Sequence, residues 1–507
     1  MRTLNSLKNM LTSVGISLIM ILLGFFTRKL FVDNIGVQYL GLNGLLQNIL
    51  GVTSLLEGGF ATSVVYNMYK PIAEDNHEKI IALLQLYRKV YRYIALGIFL
   101  FSLLLYPFIG FFIKGADSLQ YVSIVYFIFV FNSLIGYFTA YKWSIINASQ
   151  KNYKLGLTNL VYQVGLNFAK LAVLYYTQNY ILYLVVESLF GLGLNVAVVR
   201  KANSLFPYIV TKKKYIVEDS VKQNIIQNMK YIFIINIGTY LMHSTDNIVI
   251  SSFVGISIVG LYSNYTLISG IVKSMVSQIL NSFSDSVGDL VASESRNRVY
   301  EVYKTVFFVN FLVVSIPSII MYITFNPFIN WWLGVEYALP DYVVGIIVFN
   351  FYIIQMRESA ITFKGKSGIF FPDRYTTLLQ GIINLVLSLV LVRYFDLFGV
   401  LLATALSVLA IGFWQYPRIC YKYIFHQPLK AYFKQYSIYT SVAICALIIS
   451  LVINRCYTFD NQLILAIMNG LVSMIVIVIV YCLLFYRTNQ FVALISYVKN
   501  ISKSFLK

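Results

Sequence analysis

Residues 35–51 read IGVQYLGLNGLLQNILG, and residues 254–270 read VGISIVGLYSNYTLISG. The two stretches share three glycines and a leucine at one offset of 219 positions: Gly36, Gly41, Leu42 and Gly51 match Gly255, Gly260, Leu261 and Gly270. Polar residues stand just upstream of each copy, at 27–29 and at 246–247. A chain that repeats such a stretch is expected to form two similar halves around one site.

The composition predicts an integral membrane protein. Of the 507 residues, 59% are hydrophobic and only 12% are charged, and the mean hydropathy is +0.73. Apolar runs of about 20 residues recur from end to end, which is the length that crosses a ~30 Å hydrocarbon core. The four cysteines have no metal-ligand spacing, so we expect no metal site and no cofactor.

The hydropathy pattern predicts fourteen spans, and the loop charges predict their direction. The spans are 10–32, 40–64, 91–113, 119–141, 155–177, 180–199, 231–253, 257–283, 304–325, 342–362, 375–394, 397–419, 436–454 and 462–486. With the N-terminus inside, 32 of the 39 lysines and arginines lie on the inner side and 5 on the outer side. This bias places both termini in the cytoplasm. It also accounts for the net charge of +19 without nucleic acid as a partner.

Further matches extend the repeat to six spans per half. Pro107 and Pro327 open similar aromatic segments, and Gln163 with Asn167 recurs as Gln380 with Asn384, 217 positions later. Gly193 likewise matches Gly412. We therefore predict an all-α membrane protein with two parallel six-helix lobes, related by a pseudo-two-fold axis along the membrane normal, plus two C-terminal helices.

The predicted organisation has four parts. An N-lobe covers 1–203, and a cytoplasmic amphipathic linker helix covers 204–230. A C-lobe covers 231–425, and 426–507 holds the last two spans and an amphipathic tail.

Ionisable residues inside the spans are the first candidates for function. Each costs about 2.5–3.5 kcal/mol on insertion scales, so such residues usually face a cavity or a partner. They are Arg28, Lys29, Glu57, Lys170, Glu187, Asp246, Lys273, Arg357 and Glu358. Arg28 and Lys29 could instead reach the outer headgroups, Lys170 and Glu187 could form a structural pair, and Arg357 and Glu358 could be interfacial.

Span 7 adds a possible partner and a hypothesis. His243 lies one turn before Asp246 on a continuous helix, where it could tune the carboxylate or only pack. Arg28 maps onto Asn247, beside Asp246, so equivalent helices carry opposite charge. We predict that Arg28 and Asp246 face one another and form an outer latch.

The segment from Arg28 to Gly59, followed by Met68-Tyr69-Lys70-Pro71, resembles the opening of Wzx-type oligosaccharide-lipid flippases. That superfamily also contains multidrug exporters and the peptidoglycan-precursor flippase. The resemblance covers nearly the whole chain, although beyond the opening it rests on architecture.

The resemblance implies a flippase that moves an undecaprenyl-diphosphate-linked oligosaccharide across the bacterial cytoplasmic membrane, for capsule, O-antigen or exopolysaccharide synthesis. It implies that Arg28, and in kind Lys273, meet the diphosphate. Lys29 and Lys170 are further cationic candidates. It leaves open whether a polysaccharide polymerase and chain-length proteins bind.

The residue chemistry fits this expectation. Cations neutralise a diphosphate in a cavity of low dielectric. Sugar hydroxyls need amides such as those of Gln163, Asn167, Gln380 and Asn384. Alternating access needs coupling, and Asp246 or Glu57 could bind H⁺ or Na⁺; Glu187, His243, Arg357 and Glu358 are further candidates for coupling or gating.

Three alternatives remain at this stage. A multidrug or cation antiporter of the same fold would have twelve spans and rely on carboxylates. A membrane polysaccharide polymerase or glycosyltransferase would need large outer loops with paired acidic residues, which the sequence lacks. A scaffold for envelope assembly would not explain buried charge in both halves. We therefore expect a transporter and not an enzyme.

Overall fold

The structure is a computed structural model that describes residues 20–496 except 53–54, 56, 58, 116–118 and 370. The described part contains helices and turns but no strand. The predicted amphipathic tail is described only to residue 496, with a helix over 489–496.

The chain divides into two compact units. The first comprises Met1–Tyr240 with Gly255–Gly260, and the second comprises Leu241–Val254 with Leu261–Lys507. These bounds differ from the predicted lobe boundary in two ways. The division falls ten residues inside span 7, and the short segment Gly255–Gly260 belongs to the first unit although the residues on both sides of it belong to the second.

The helices up to the division are α1 (20–34), α2 (Val37–Gly51), α3 (Phe60–Ala73), α4 (His77–Leu105), α5 (Val122–Ile135), α6 (Ala140–Ala148), α7 (Gly156–Tyr176), α8 (Tyr180–Leu205) and α9 (Asp219–His243). Asparagine side chains fix where two of them begin. Asn76 accepts a hydrogen bond from the backbone N–H of Lys79 (3.1 Å) at the start of α4, and Asn179 accepts one from Leu182 (3.0 Å) at the start of α8. Both satisfy a backbone donor that the first helical turn leaves unpaired.

The later helices are α10 (Thr245–Phe253), α11 (Ile256–Ser293), α12 (Arg296–Trp332), α13 (Asp341–Gln355), α14 (Glu358–Lys366), α15 (Thr376–Ser407), α16 (Phe413–Ile419), α17 (Leu429–Asn454) and α18 (Gln462–Phe485). Asp396, at φ 47°, turns the chain inside α15 and separates the predicted spans 11 and 12. The last two helices pack on α12, where Phe311 stacks on Tyr439 at 4.6 Å and Tyr481 contacts Ser315 at 2.8 Å.

The helix starts confirm the internal repeat. Helices α2, α4 and α5 begin at Val37, His77 and Val122, and α11, α12 and α13 begin at Ile256, Arg296 and Asp341. Each of the second set begins 219 positions after its counterpart. The offset read from the glycines therefore also governs where the helices begin.

The glycines of the repeated stretch form a reciprocal contact within the first unit. A Cβ at Gly41 would overlap the carbonyl oxygen of Ile256 and lie 3.1 Å from the backbone nitrogen of Gly260. A Cβ at Gly260 would overlap the carbonyl oxygen of Val37. Val37 and Gly41 are the repeat counterparts of Ile256 and Gly260, so each copy meets the other through the same two positions. Only glycine allows backbones to approach this closely.

Fewer helices pass a simple test for membrane spans than the fourteen predicted. Within the described residues seven helices are long and apolar enough, or eight if the bent pair α5 and α6 counts as one span. One of the seven, Thr376–Phe425, covers two predicted spans. Predicted spans 5, 7 and 8 are not among the seven or eight, and they carry Lys170, Asp246 and Lys273. Lys170 and Lys273 lower the hydropathy of the continuous helices α7 and α11, whereas span 7 is divided between α9 and the nine-residue α10, which carries Asp246.

The predicted linker helix over 204–230 differs from what the structure has. Helix α8 continues to Leu205, a short turn covers Pro207–Ile209, and residues 210–218 are irregular. The amphipathic residues from Asp219 onward belong to α9, which runs without a break to His243. The predicted apolar face is therefore the start of a longer helix.

Candidate functional site

The first unit gathers several of the predicted charges on three helices. Lys170 of α7 forms a salt bridge with Glu187 of α8 at 2.9 Å. Its ammonium also lies 4.6 Å from the centre of the Tyr183 ring. Tyr183 interacts electrostatically with Arg28 of α1 as well. The ion pair of Lys170 and Glu187 therefore lies beside a phenol that Arg28 also influences.

Apolar and polar contacts hold this cationic cluster, defined by Arg28, Lys170, Tyr183 and Glu187, in place. Phe31 of α1 packs edge-on against Tyr183 at 5.2 Å. The lysine side chain is 13% exposed, whereas the glutamate side chain is 42% exposed. The pairing of Lys170 with Glu187 agrees with the alternative of a structural pair.

Other predicted residues of the first unit lie apart from this cluster. Lys29 forms a salt bridge with Asp33, four residues along α1, at 3.5 Å, and both side chains are over 40% exposed. This fits the alternative in which Lys29 reaches toward the headgroups. Gln163 is exposed, and Asn167 donates to the Gln163 backbone oxygen within α7 at 2.9 Å.

Glu57 has a tyrosine partner. The hydroxyl of Tyr91 donates a hydrogen bond to its carboxylate. Tyr91 itself is buried in the apolar core of the first unit, where it packs against Phe60 and Tyr87. Glu57 is thus anchored at the edge of a packed core.

The second unit contains a cavity of about 310 Å³ that includes two predicted site residues, Asp246 of α10 and Lys273 of α11. Asn350 and Gln355 of α13 also line it. Lys273 is exposed, whereas Asn350 and Gln355 are buried. The cavity thus combines a cation, a carboxylate and amides, which is the donor and acceptor set that a polar ligand requires.

Several oxygens on this cavity wall have no hydrogen-bond partner within the protein. They are Oδ1 of Asp246, Oδ1 of Asn350 and Oε1 of Gln355. Buried polar groups are normally paired, and leaving one unpaired costs about 1–3 kcal/mol. Three unpaired acceptors among the residues that line the cavity favour a ligand that brings donors or a positive charge.

The other carboxylate oxygen of Asp246 belongs to a small polar network. The hydroxyl of Thr404 lies 3.2 Å from Oδ2 of Asp246 and accepts a hydrogen bond from Asn384 Nδ2 at 3.0 Å. Asn384 and Ser388, one turn apart on α15, keep further buried oxygens without a partner. A carboxylate, an amide oxygen and hydroxyls are the ligand types that suit a hard cation or a proton. No group of three or more His, Cys, Asp or Glu side chains that could hold a metal occurs in the described residues.

Gln380 and Arg357 form a separate buried pair. Arg357 Nη1 donates to Oε1 of Gln380 at 3.3 Å, and its guanidinium lies 5.4 Å from the Tyr416 ring centre. A Cβ at Gly412 would meet both side chains. Neither Gln380 nor Asn384 lines the cavity, although their amides were expected to meet sugar hydroxyls. Arg357 is only 6% exposed, so its side chain is enclosed by the protein.

Glu358, the neighbour of Arg357, begins α14 and is partly buried. The assumption of one continuous helix through His243 and Asp246 is also wrong. Helix α9 ends at His243, Ser244 interrupts it, and Asp246 lies in the first turn of α10. The His243 side chain lies outside the described residues, so its predicted role stays a prediction.

Sequence reasoning missed the neutral partners. Tyr183, Thr404, Asn350 and Gln355 all take part in the two sites. Asn350 and Gln355 carried a usable signal, because they are uncharged polar residues inside the predicted span 10. Tyr183 carried none, since tyrosines are frequent throughout this chain, with 41 in all.

Comparisons with solved structures show the fold. The chain is similar to the lipid II flippase MurJ in an inward closed conformation, with a TM-score of 0.68, 14% identity, and coverage of 94% of this chain and 99% of that one. It is also similar to an inward-facing multidrug resistance transporter of the MATE family, with a TM-score of 0.59, 11% identity, and coverage of 79% and 94%. The MATE multidrug transporter DinF-BH has a TM-score of 0.54, 16% identity, and coverage of 81% and 94%.

No family model matches the chain, and no curated protein matches it. The predicted fold class, an all-α membrane protein with fourteen helices in two lobes, is confirmed by these structural likenesses.

Proposed function

We propose that this chain is a flippase that moves an undecaprenyl-diphosphate-linked oligosaccharide from the inner to the outer leaflet of a bacterial cytoplasmic membrane by alternating access. The transported unit would then serve the synthesis of capsule, O-antigen or exopolysaccharide. Both termini would lie in the cytoplasm, as the loop charges predict.

The extent of the structural likeness carries this proposal. The lipid II flippase covers 94% of the chain, whereas the two multidrug transporters cover 79% and 81%. The difference of 13–15% is about the size of α17 and α18 with their connections. A two-lobe chain with two additional helices favours a lipid-linked cargo over the multidrug alternative, for which the resemblance implies twelve spans.

The charges of the two units fit such a cargo. The cationic cluster of Arg28 and Lys170 would bind the diphosphate, since charge-assisted hydrogen bonds from these groups neutralise phosphate oxygens. The unpaired oxygens of Asn350 and Gln355 would accept hydrogen bonds from sugar hydroxyls. The isoprenoid chain would remain in the bilayer.

The network around Asp246 would couple transport to an ion gradient. Its oxygens suit Na⁺ or H⁺, and binding of either would neutralise a carboxylate that lies among Thr404 and Asn384. Exchange of Na⁺ for choline at fixed pH, in proteoliposomes, distinguishes the two ions.

The test is a deletion of the gene in its host, followed by analysis of lipid-linked intermediates. We expect a complete oligosaccharide-lipid to accumulate on the inner face and surface polysaccharide to be lost. Accumulation of an incomplete sugar would indicate a transferase instead. Increased dye sensitivity with normal polysaccharide would indicate a multidrug exporter.

Neighbouring residues of α1 provide a matched pair of variants for complementation. Arg28→Gln should restore little polysaccharide, because it removes a cation from the cluster. Lys29→Gln makes the same change of charge one residue away, at a residue that is bridged to Asp33. Equal loss in both variants would argue against a specific diphosphate contact at Arg28.

A further inference from the structure

A second basic site lies in the first unit, apart from the cationic cluster. It is a cavity of about 390 Å³ between α4, α6, α8 and the segment that follows α8. Three cations line it, namely Arg88, Lys142 and Lys212, and none of the described acidic residues does. We call this cavity the basic pocket.

Lys142 is the central group of the basic pocket. It is only 6% exposed, and its ammonium donates to the neutral amide of Asn203 at 2.7 Å. No described carboxylate lies within 4.0 Å of it. Lys364, the other buried lysine among the described residues, pairs with Asp373. A buried charge without a counter-charge is costly, so the pocket favours an anionic ligand.

A second cation lies near the same aromatic ring as Lys142. The guanidinium of Arg88 lies 5.6 Å from the Tyr141 ring centre, and the ammonium of Lys142 lies 5.4 Å from the same centre. Two like charges near one ring repel each other unless an anion binds between or beside them. Arginine and lysine together are well suited to phosphate oxygens.

The third cation stands on a segment that one side chain holds in place. Gln85 of α4 donates to the backbone oxygen of Lys213 at 2.6 Å and accepts from the backbone N–H of Tyr215 at 3.0 Å. The side-chain amide of Gln85 thus forms hydrogen bonds with the backbone on both sides of Lys214. This fixes Lys212 at the rim of the basic pocket.

An apolar groove leads to the basic pocket along α5 and α8. Two adjoining cavities of about 480 and 540 Å³ share Phe131 and Leu192 as lining residues. The groove reaches Val199 and Arg200, and Val199 also lines the basic pocket. From Val185 to Arg200 it follows α8 for roughly 22 Å, at 1.5 Å per residue. An apolar groove that ends at cations has the form of a lipid-binding site.

We propose that the basic pocket binds the phosphate of an anionic membrane lipid, with an acyl chain of that lipid in the groove between α5 and α8. Basic pockets between membrane helices bind lipid headgroups of this kind. The lipid would supply the counter-charge that Lys142 lacks. This inference does not depend on which cargo the protein transports.

The experiment uses the full-length protein, delipidated in a neutral detergent, with native mass spectrometry and thermal unfolding as readouts. The probes are cardiolipin, phosphatidylglycerol, phosphatidylcholine and inorganic diphosphate. We expect the two anionic lipids to bind and raise the unfolding temperature, and phosphatidylcholine and diphosphate to have little effect. An equal effect of phosphatidylcholine would overturn the site, and an equal effect of diphosphate would overturn the lipid as its occupant.

Three variants locate the effect. Arg88→Gln and Lys142→Met should each weaken anionic-lipid binding about tenfold or more, because each removes a charge-assisted contact. Lys89→Gln removes a charge from the next residue of α4, which does not line the basic pocket, and should bind as the wild type does. Unchanged lipid affinity in Arg88→Gln, at an exposed position, would refute the proposal.

Lys142→Met has a second readout that a purely structural role would not produce. Without anionic lipid it should unfold at a higher temperature than the wild type, because the unpaired buried charge is gone. A lower unfolding temperature would mean that Lys142 stabilises the fold through Asn203, and the argument for a missing counter-charge would fail.

Discussion

Replacing Gly41 by alanine tests whether the repeated stretch works as a close backbone contact. The new Cβ would overlap the carbonyl oxygen of Ile256, lie 3.0 Å from its carbonyl carbon and 3.1 Å from the nitrogen of Gly260, whereas ordinary contacts begin at 3.4 Å. These obstacles are backbone atoms, so no rotamer change relieves them. The two helices must move apart by about 1 Å, which loosens the contacts around them.

The expected cost follows from two opposing effects. Overpacking in a well-packed core costs about 1–3 kcal/mol. Alanine in place of a helical glycine recovers up to about 1 kcal/mol. We therefore expect Gly41→Ala to destabilise the protein by up to about 2 kcal/mol. Gly97→Ala is the matched control, because Gly97 also lies within a helix and a Cβ added there would have no neighbouring atom within 4 Å.

The assay is thermal unfolding of purified protein in detergent, followed by intrinsic fluorescence and by size-exclusion chromatography. Gly41→Ala should unfold at a lower temperature than the wild type, and Gly97→Ala at the same or a higher temperature. The double variant with Gly260→Ala should cost less than the sum of the single ones, since one separation of the helices serves both. Equal unfolding temperatures for Gly41→Ala and Gly97→Ala would refute the close-contact argument.

Three further outcomes are expected. Gly412→Ala should lower the unfolding temperature, because the new Cβ would meet Arg357. Gly193→Ala, at the repeat counterpart of Gly412, should leave it unchanged, because a Cβ there would have no neighbouring atom within 4 Å. Charge reversal at Arg28 or at Asp246 should impair transport and the double reversal should partly restore it, in a flipping assay in proteoliposomes; absence of rescue would count against a direct pair. Lys170→Gln should lower the flipping rate clearly but leave the unfolding temperature nearly unchanged. Its partner carboxylate, Glu187, is 42% exposed, so water can solvate it when the lysine is gone.

Much of the fold was predictable because apolar length and glycine spacing are local signals. The offset of 219 read from Gly41 and Gly260 also relates the starts of α4 and α12, at His77 and Arg296. The prediction of one continuous helix through span 7 failed. Ser244 separates α9 from α10, and the hydropathy of this segment does not reveal the break.

The candidate sites were predictable only through their charges. A charge in an apolar span is expensive, so Lys170 and Asp246 stand out in the sequence. Their neutral partners Tyr183 and Thr404 do not, since a neutral side chain carries no such cost. The sequence also did not show that Arg357 lies within hydrogen-bonding reach of Gln380.

The salt bridge between Lys170 and Glu187 also bears on how the chain enters the membrane. Helix α7 is not among the helices that pass the hydropathy test, whereas α8, which follows it after a short turn, does. If the two leave the translocon together as a hairpin, the ammonium and the carboxylate can neutralise each other before either meets lipid. The ion pair of Lys170 and Glu187 would then also allow α7 to insert into the membrane. Loss of this pair should therefore lower the amount of protein in the membrane, even for a variant whose folded form is stable.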